Sequence, residues 1–292
     1  MSDHWQKCIS SSGTIRGVAI RCTELAREAT ELHGLRGDMA RALGETLVAG
    51  FLLSSYSKEG ERMNLNVKGN GWVVQGLVDA YPDGRIRGYV VPNENAVTPT
   101  VDLTGEGPWG QGVLSVLRKR EMDARSEPYI GTVPLVTGHL AKDLTFYWLQ
   151  SEQVPSAVGI AINLNDDGTV GSAGGFLVQA MPGATDQEIA EIETHVNKLS
   201  DFAQELATDT DTVAILSRIF QERPFLLLEK KALRYECHCS WERVRRALTL
   251  VGVGELQAMI DEVGEAVVRC DFCTKEYRAD TDELRKMIEE SK

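Results

Sequence analysis

The sequence contains no apolar run that approaches the roughly 20 residues a helix needs to cross a bilayer. Basic charge is also scarce, because 31 Lys and Arg stand against 43 Asp and Glu, a formal net charge of −12. That balance disfavours nonspecific attraction to nucleic acid or to an anionic membrane. The first residues, MSDHWQKCISSSG, lack the basic start and apolar stretch of a secretory signal, and no Asn-x-Ser/Thr sequon occurs. We therefore expect a cytoplasmic protein without nucleic-acid or membrane partners.

Signatures of several enzyme classes are missing as well. The sequence has no G-x-x-x-x-G-K-[ST] loop for ATP phosphates, no H-E-x-x-H pair for a catalytic metal and no G-x-S-x-G elbow. A formal G-x-G-x-x-G match spans Gly105 to Gly110, but Pro108 and Trp109 fill its variable positions. Its surroundings suggest antiparallel strands instead of the βαβ unit of a dinucleotide site. We interpret it as a glycine-rich turn and expect no enzyme.

The composition is that of a globular protein. Of 292 residues, 42% are hydrophobic and 25% are charged, which fits one large domain or two smaller ones. Helical and alternating periodicities are mixed up to about residue 180, so we predict an α+β core domain of sheets and helices over residues 1–180. The predicted helices are Thr23 to His33, Gly37 to Lys58 and Leu140 to Gln150; the predicted strands are Met63 to Val67, the hairpin Trp72 to Tyr81 with Arg85 to Val91, and the pair Ala157 to Leu164 with Val170 to Ala180.

Residues 181–231 become acidic and helical in character, which predicts a helical linker. Apolar residues recur every three or four positions from Ile189 to Leu206, the pattern of an amphipathic helix, and a second helix is predicted from Thr212 to Gln221. Helices of this length are marginal in water, so they need a surface to cover. Two interpretations stay open: an ordinary connector packed on the first domain, or a connector held folded only by its neighbours, whose release exposes two apolar faces.

The six cysteines are unevenly distributed. Cys8 and Cys22 stand alone near the start, and we interpret them as small, partly buried side chains. The other four form a C-H-C motif and a C-D-F-C motif within residues 232–292; they are Cys237, Cys239, Cys270 and Cys273. In a reducing cytoplasm, such pairs indicate metal binding or redox chemistry instead of permanent disulfides.

Four thiolates satisfy the tetrahedral preference of zinc, which predicts one Zn²⁺ per chain in a small C-terminal domain. The two-residue spacer of Cys270 and Cys273 lets both sulfurs turn towards one ion. In an extended chain Cys237 and Cys239 project the same way, whereas His238 projects oppositely. Four cysteines are therefore the favoured ligand set, and three cysteines with His238 stay the alternative.

The same residues resemble a known family. The CHCS at Cys237 to Ser240, the CDFC at Cys270 to Cys273 and the following Tyr277 resemble the redox-switch domain of the redox-regulated heat-shock chaperones of thirty-three kilodaltons, the 33 kDa chaperonins. Further likenesses are the LAKDL at Leu140 to Leu144, the SEQVPS at Ser151 to Ser156 and the RGY at Arg87 to Tyr89. The sequence departs from the family pattern at Gly138-His139-Leu140 and at Gly34 to Asp38, away from the cysteines.

The resemblance implies a bacterial, cytoplasmic holdase chaperone that works without ATP. In this family the reduced, zinc-bound form is inactive. Oxidation pairs Cys237 with Cys239 and Cys270 with Cys273, releases zinc, loosens the linker and favours a homodimer. The exposed surface then binds unfolding client proteins until thiol reductants return them to ATP-dependent foldases.

Pairing of near neighbours has a physical consequence. Each such disulfide closes a loop of three or four residues, which stabilises the folded chain by only about 1.6–2 kcal/mol in the chain-entropy model. The metal binding lost in exchange contributes about 10–16 kcal/mol in small zinc modules. We therefore expect oxidation to unfold the C-terminal domain. Client binding is predicted on the apolar linker residues, namely Ile189, Ile192, Val196, Leu199, Phe202, Leu206, Val213, Leu216 and Phe220.

Two other functions stay open on the sequence. A zinc-ribbon nucleic-acid binder is disfavoured because residues 234–292 carry ten Lys and Arg against thirteen Asp and Glu, a net charge of −3. A thiol–disulfide oxidoreductase using the C-x-x-C motif would need a thioredoxin-like βαβ context, which the pattern around Cys270 does not show.

Overall fold

The computed structural model describes residues 2–95, 107–120, 127–199, 202–207 and 211–291. The chain divides into two compact units, Met1–Glu236 and Cys237–Lys292. Of the glycine-rich match, Gly105 and Glu106 lie outside the described residues, and Gly107 to Gly110 form a turn closed by a 3.0 Å backbone hydrogen bond.

The first unit contains two sheets. One is five-stranded and antiparallel, in the order β10-β1-β2-β9-β8. Its strands are β1 (His4–Ser10), β2 (Ile15–Arg21), β8 (Ser156–Leu164), β9 (Val170–Ala180) and β10 (Phe225–Ala232). The other is six-stranded, in the order β11-β5-β4-β3-β6-β7, and only its short β11–β5 pair is parallel. Its strands are β3 (Glu61–Gly69), β4 (Val73–Ala80), β5 (Arg85–Pro92), β6 (Gly112–Arg120), β7 (Tyr129–Pro134) and β11 (Arg234–Tyr235).

Three helices complete the core of this unit: α1 (Thr23–Leu32), α2 (Gly37–Ser54) and α3 (Leu140–Gln150). Helix α2 contacts strands of both sheets and buries nearly its whole circumference, which explains a sequence that is apolar on most faces. The predicted α+β class is confirmed. Helix α2 ends at Ser54, before the predicted Lys58, because the Ser54 and Ser55 hydroxyls bond the carbonyls of Phe51 and Leu52 and the chain then turns.

The segment after β9 folds as α4 (Asp186–Asn197), α5 (Phe202–Ala207) and α6 (Thr212–Phe220), followed by β10. The single amphipathic helix predicted from Ile189 to Leu206 is thus two helices. The first stops where the Lys198 amide bonds the carbonyls of both Thr194 and His195, a tightened last turn. The end of residues 181–231 is strand β10 instead of helix, because Pro224 stops the helix and the free edge of β1 can pair with the apolar run that follows.

Helices α4 to α6 cover one face of the five-stranded sheet and create a second apolar core. We call it the linker cluster. Its buried members from the helical segment are Ile192, Leu199, Phe202, Leu206, Ile215, Leu216, Ile219 and Phe220, and those from the sheet are Cys8, Ile15, Ala19, Ala161, Phe176 and Val178. The opposite face of the same sheet packs into the main core with α1 and α2.

The second unit is small and has its own apolar core. It consists of α7 (Trp241–Leu250), α8 (Val253–Glu262), the antiparallel hairpin β12 (Glu265–Arg269) and β13 (Glu276–Asp280), and α9 (Thr281–Glu290). None of the helices in the described part of the chain has the length and apolarity needed to span a membrane.

Candidate metal centre

Two short segments of the second unit carry the four cysteines. Cys237 and Cys239 lie in the extended stretch before α7, whose N-cap Ser240 accepts a hydrogen bond from the Arg243 amide. Cys270 and Cys273 lie in the turn between β12 and β13. Backbone hydrogen bonds from Cys270 to the Lys275 carbonyl (2.9 Å) and from Thr274 to the Cys270 carbonyl (2.8 Å) close that turn. The hairpin therefore presents two thiols from one tight bend.

The sulfurs converge on a volume suited to a metal ion. All four lie within 4.8 Å of one another, with 3.7 Å between the sulfurs of Cys237 and Cys270 and 3.4 Å between those of Cys239 and Cys273. A tetrahedral site with zinc–sulfur bonds of about 2.3 Å has sulfur–sulfur edges of about 3.8 Å. The donor set thus fits zinc, and the group the structure brings together does not include His238.

Hydrogen-bond donors of the chain approach the sulfurs. The Tyr277 hydroxyl donates to Cys239 Sγ at 3.1 Å, and the backbone amides of Cys239 and Lys275 face the sulfurs of Cys237 and Cys273. Burial raises the pKa of Cys237 and of Cys273. Burial also acts to raise the pKa of Cys239, but hydrogen bonds from Tyr277 and the neighbouring sulfurs hold it below its usual value. The Tyr277 hydroxyl in turn has a pKa raised to about 12 by its bond to Cys239. Cys239 is therefore a sulfur that accepts a hydrogen bond from a side-chain hydroxyl.

The residue after the C-D-F-C motif is strained. Thr274 has a φ of +60°, a left-handed conformation that costs a β-branched residue about 1–2 kcal/mol. Thr274→Gly should remove this strain, and after the extra chain entropy of glycine we expect the second unit to gain about 0.5–1 kcal/mol. A competing chelator should then strip the metal-loaded variant roughly two- to fivefold less readily than the wild type. Thr274→Ala is the matched control, because alanine is also disfavoured at positive φ; an equal gain there would contradict the strain argument.

The structure brings together most of the apolar residues predicted to bind clients. Seven of the nine lie in or against the linker cluster, whereas Ile189 and Val213 do not. Sequence reasoning missed Ile215, which is fully buried in this cluster. Ile215 directly precedes Leu216 and lies four residues before Ile219. This spacing places the three side chains on one side of a helix, so the sequence could have predicted the burial of Ile215.

Polar contacts that the sequence did not reveal hold the linker helices in place. Arg223 bridges Glu188 at 2.8 Å and Glu191 at 2.6 Å, both on α4. The two ends of α6 each meet a histidine: His4 Nε2 lies 2.9 Å from the Thr212 hydroxyl, and His195 Nδ1 lies 3.0 Å from the Ile219 carbonyl oxygen. These contacts join residues 208 and 24 positions apart in the chain, so they leave no local sequence pattern.

The two isolated cysteines are free thiols with fully buried side chains. Cys8 packs in the linker cluster and Cys22 in the main core. Burial raises the pKa of both thiols, and for Cys8 it reaches about 12. Neither joins the metal centre.

Comparison with known proteins covers both units. A sequence profile of the family described as "Hsp33 protein" matches residues 3–280. The 33 kDa chaperonin of Geobacter sulfurreducens is 36% identical over 289 residues, with 98% of this chain and 95% of the relative covered. That of Shouchella clausii is 33% identical over 296 residues, with 100% and 99% covered. The crystal structure of the 33 kDa chaperonin from Thermotoga maritima has a TM-score of 0.89 and 30% identity, with 99% of this chain and 98% of that chain covered.

Proposed function

This chain belongs to the Hsp33 family, and from that membership we propose that it is a redox-regulated, ATP-independent holdase chaperone of the bacterial cytoplasm. In the resting state Cys237, Cys239, Cys270 and Cys273 hold one Zn²⁺ as thiolates. In the active state the same four residues are oxidised, and the linker binds unfolding proteins so that they do not aggregate. The protein acts by binding and not as an enzyme.

The convergence of four sulfurs from two separate segments is the observation that supports the proposal most directly. Zinc, when bound, supplies the tie between these segments and keeps the thiolates ready to react. The second unit has a small core of its own, and a domain of this size is marginally stable, so metal binding would contribute a large share of its folding free energy. Loss of the thiolates therefore removes a major part of what keeps this unit folded.

The oxidation step uses two peroxides. In each pair, two thiolates would give up two electrons and form one sulfur–sulfur bond, while one peroxide takes up two protons from solvent and is reduced to two waters; with all four ligands consumed, the ion is released. We propose that Cys237 pairs with Cys239 and Cys270 with Cys273. Sulfurs of the two motifs also approach one another, at 3.4 Å for Cys239 and Cys273 and 3.7 Å for Cys237 and Cys270. A crossed disulfide would close a loop of about 35 residues and stabilise the fold by about 4 kcal/mol, which opposes activation. Mass-spectrometric mapping of the oxidised chain distinguishes the two pairings.

The chain connects the two units through a very short segment. β10 is the edge strand beside β1, β11 pairs with β5, and the Glu236 amide bonds the Ile86 carbonyl at 2.8 Å immediately before Cys237. We propose that unfolding of the second unit frays this segment and then the linker helices. Their release would uncover the apolar residues of the linker cluster, which bind clients, and would allow two oxidised chains to form a homodimer. Thiol reductants and ATP-dependent foldases would act afterwards.

Aggregation of a heat-denatured protein, with released zinc measured in parallel, tests the proposal. We expect no protection from reduced, metal-loaded protein, and strong protection after peroxide with about one zinc released per chain. The rate of amide hydrogen exchange should rise across residues 183–223 on oxidation, because the linker helices no longer pack against the sheet. Equal exchange in the two states would refute the linker as the switched surface, and a reduced protein that already protects fully would refute redox control.

The fold around Cys270 bears on the two alternative functions. In the described residues the C-x-x-C motif lies in a turn between antiparallel strands, which is not the βαβ context of a thioredoxin-like oxidoreductase. Turnover of small disulfides by the reduced chain would restore the oxidoreductase hypothesis, and a salt-dependent shift with DNA or RNA would restore nucleic-acid binding.

A further inference from the structure

The donors around the four sulfurs differ in kind. Two are backbone amides, of Cys239 and Lys275, and these are retained whatever the side chain. Another is the Tyr277 hydroxyl, 3.1 Å from Cys239 Sγ. A substitution can remove this side-chain hydroxyl and leave the backbone intact.

The Tyr277 side chain is fixed from several directions. Its residue lies on β13 opposite Val268 of β12, and it is only 9% exposed. The ring stacks on Trp241, at 6.3 Å between centroids and 21° between planes, and the ammonium of Lys275 lies 5.0 Å from the ring centroid. Trp241 follows Cys239 by two residues, and Tyr277 lies on the strand that follows Cys273. The contact between the two rings therefore joins the same two segments that the metal would tie together. The hydroxyl is therefore preorganised towards Cys239.

A hydrogen bond to a metal-bound thiolate acts on the metal through the sulfur. Four thiolates around a divalent cation carry a net charge of −2, and each donor offsets part of it. Bonds from such outer residues orient the ligand and commonly change metal affinity 10- to 100-fold when they are removed. They also withdraw electron density from the sulfur, which makes it a poorer nucleophile towards peroxide.

We propose that Tyr277 is a positioning residue of the switch: through its hydrogen bond to Cys239 it holds that thiolate on the metal and sets how readily the centre releases its ion. The inference rests on the proposed function only in assuming that the four cysteines bind a metal. It makes Cys239 different from the other three ligands by virtue of a side chain 38 positions away.

Tyr277→Phe in the full-length chain tests this proposal, since phenylalanine keeps the ring and deletes the hydroxyl. We expect the zinc-loaded variant to lose metal to a competing chelator about 10-fold more readily than the wild type without any oxidant. In the Co²⁺-loaded variant, the sulfur-to-cobalt charge-transfer bands should move to lower energy, because one thiolate has become more electron-rich. Unchanged bands together with unchanged metal retention would overturn the proposal.

Two controls separate the hydroxyl from ring packing. Trp241→Phe alters the stacking partner but leaves the hydroxyl, so metal retention should stay within about twofold; an equal loss in Trp241→Phe and Tyr277→Phe would assign the effect to packing and refute the proposal. Tyr129→Phe removes a hydroxyl from β7, in the first unit, and should change neither quantity.

The wild-type chain offers a readout that needs no variant. In protein loaded with cadmium-113, the Tyr277 hydroxyl proton should be protected from exchange and should correlate with the metal resonance. A tetrathiolate cadmium resonance with that proton exchanging at the solvent rate would overturn the hydrogen bond. A wild-type chain that binds no metal would refute the proposed function, whereas equal binding by wild type and Tyr277→Phe would refute only the role of Tyr277.

Discussion

Cys270→Ser is expected to abolish stoichiometric zinc binding and to leave the second unit unfolded under reducing conditions. Three thiolates and a serine hydroxyl cannot reproduce the four-sulfur set, and the hydroxyl is a poor ligand because it stays protonated at neutral pH. Much of the roughly 10–16 kcal/mol that metal binding contributes in small zinc modules is then lost. The measurement is bound zinc per chain, with hydrogen exchange across residues 237–291 to report unfolding.

The same variant tests the coupling to function. If the resting state depends on the metal, Cys270→Ser should suppress aggregation of a denatured client without peroxide. Cys22→Ala is the control, since it removes a buried sulfur from the main core and should leave one zinc per chain. Full zinc binding by Cys270→Ser would show that the ligand set is wrong; loss of zinc with no client binding would show that the metal centre does not control the linker.

Phe220→Ala is expected to separate client binding from the metal. Phe220 is fully buried at the end of α6, its ring lies 5.1 Å from that of Phe225, and it packs over Gly17 of β2. Truncating a buried phenylalanine to alanine costs about 3–5 kcal/mol, because both the transfer energy and a cavity are involved. That cost falls on a short helix that is marginal without its apolar cover. We therefore expect the linker to detach in the reduced protein while zinc is retained.

Three measurements on Phe220→Ala check this expectation: bound zinc, hydrogen exchange across residues 186–220, and protection of a denatured client without oxidant. Val213→Ala is the matched control, because Val213 lies on the same helix outside the linker cluster and should leave the resting state intact. A Phe220→Ala protein that stays inactive until peroxide is added would contradict the view that packing of α6 is the barrier to activity.

Several parts of the fold followed directly from local sequence pattern. Helix Leu140–Gln150 has the predicted bounds, and β8 and β9 were predicted to within a residue at each end. The less accurate predictions have tertiary causes. Strand β10 forms because β1 offers a free edge, and α4 and α5 are separate helices that both bury residues in the linker cluster. Pairing with a distant strand and burial in a shared core leave no local sequence pattern.

The candidate site shows the same division. Cysteine spacing was sufficient to propose the ligand set, because thiols in paired short motifs are rare and chemically specific. The hydrogen bond from Tyr277, the strain at Thr274 and the contacts of His4 and His195 with α6 required coordinates. The hydrogen bonds join residues that are far apart in the chain. The strain at Thr274 is a backbone torsion that the residue type alone does not indicate.

By itself the sequence determined the chemistry of this protein: four soft ligands in two motifs, an acidic surface and an amphipathic segment that cannot remain folded alone. Tertiary structure determined which sulfur accepts a hydrogen bond from a tyrosine hydroxyl and which apolar residues are buried between α4 to α6 and the sheet. The physical reason is that ligand chemistry and amphipathic periodicity belong to short stretches of chain, whereas burial and hydrogen-bond partners arise only when distant stretches pack together.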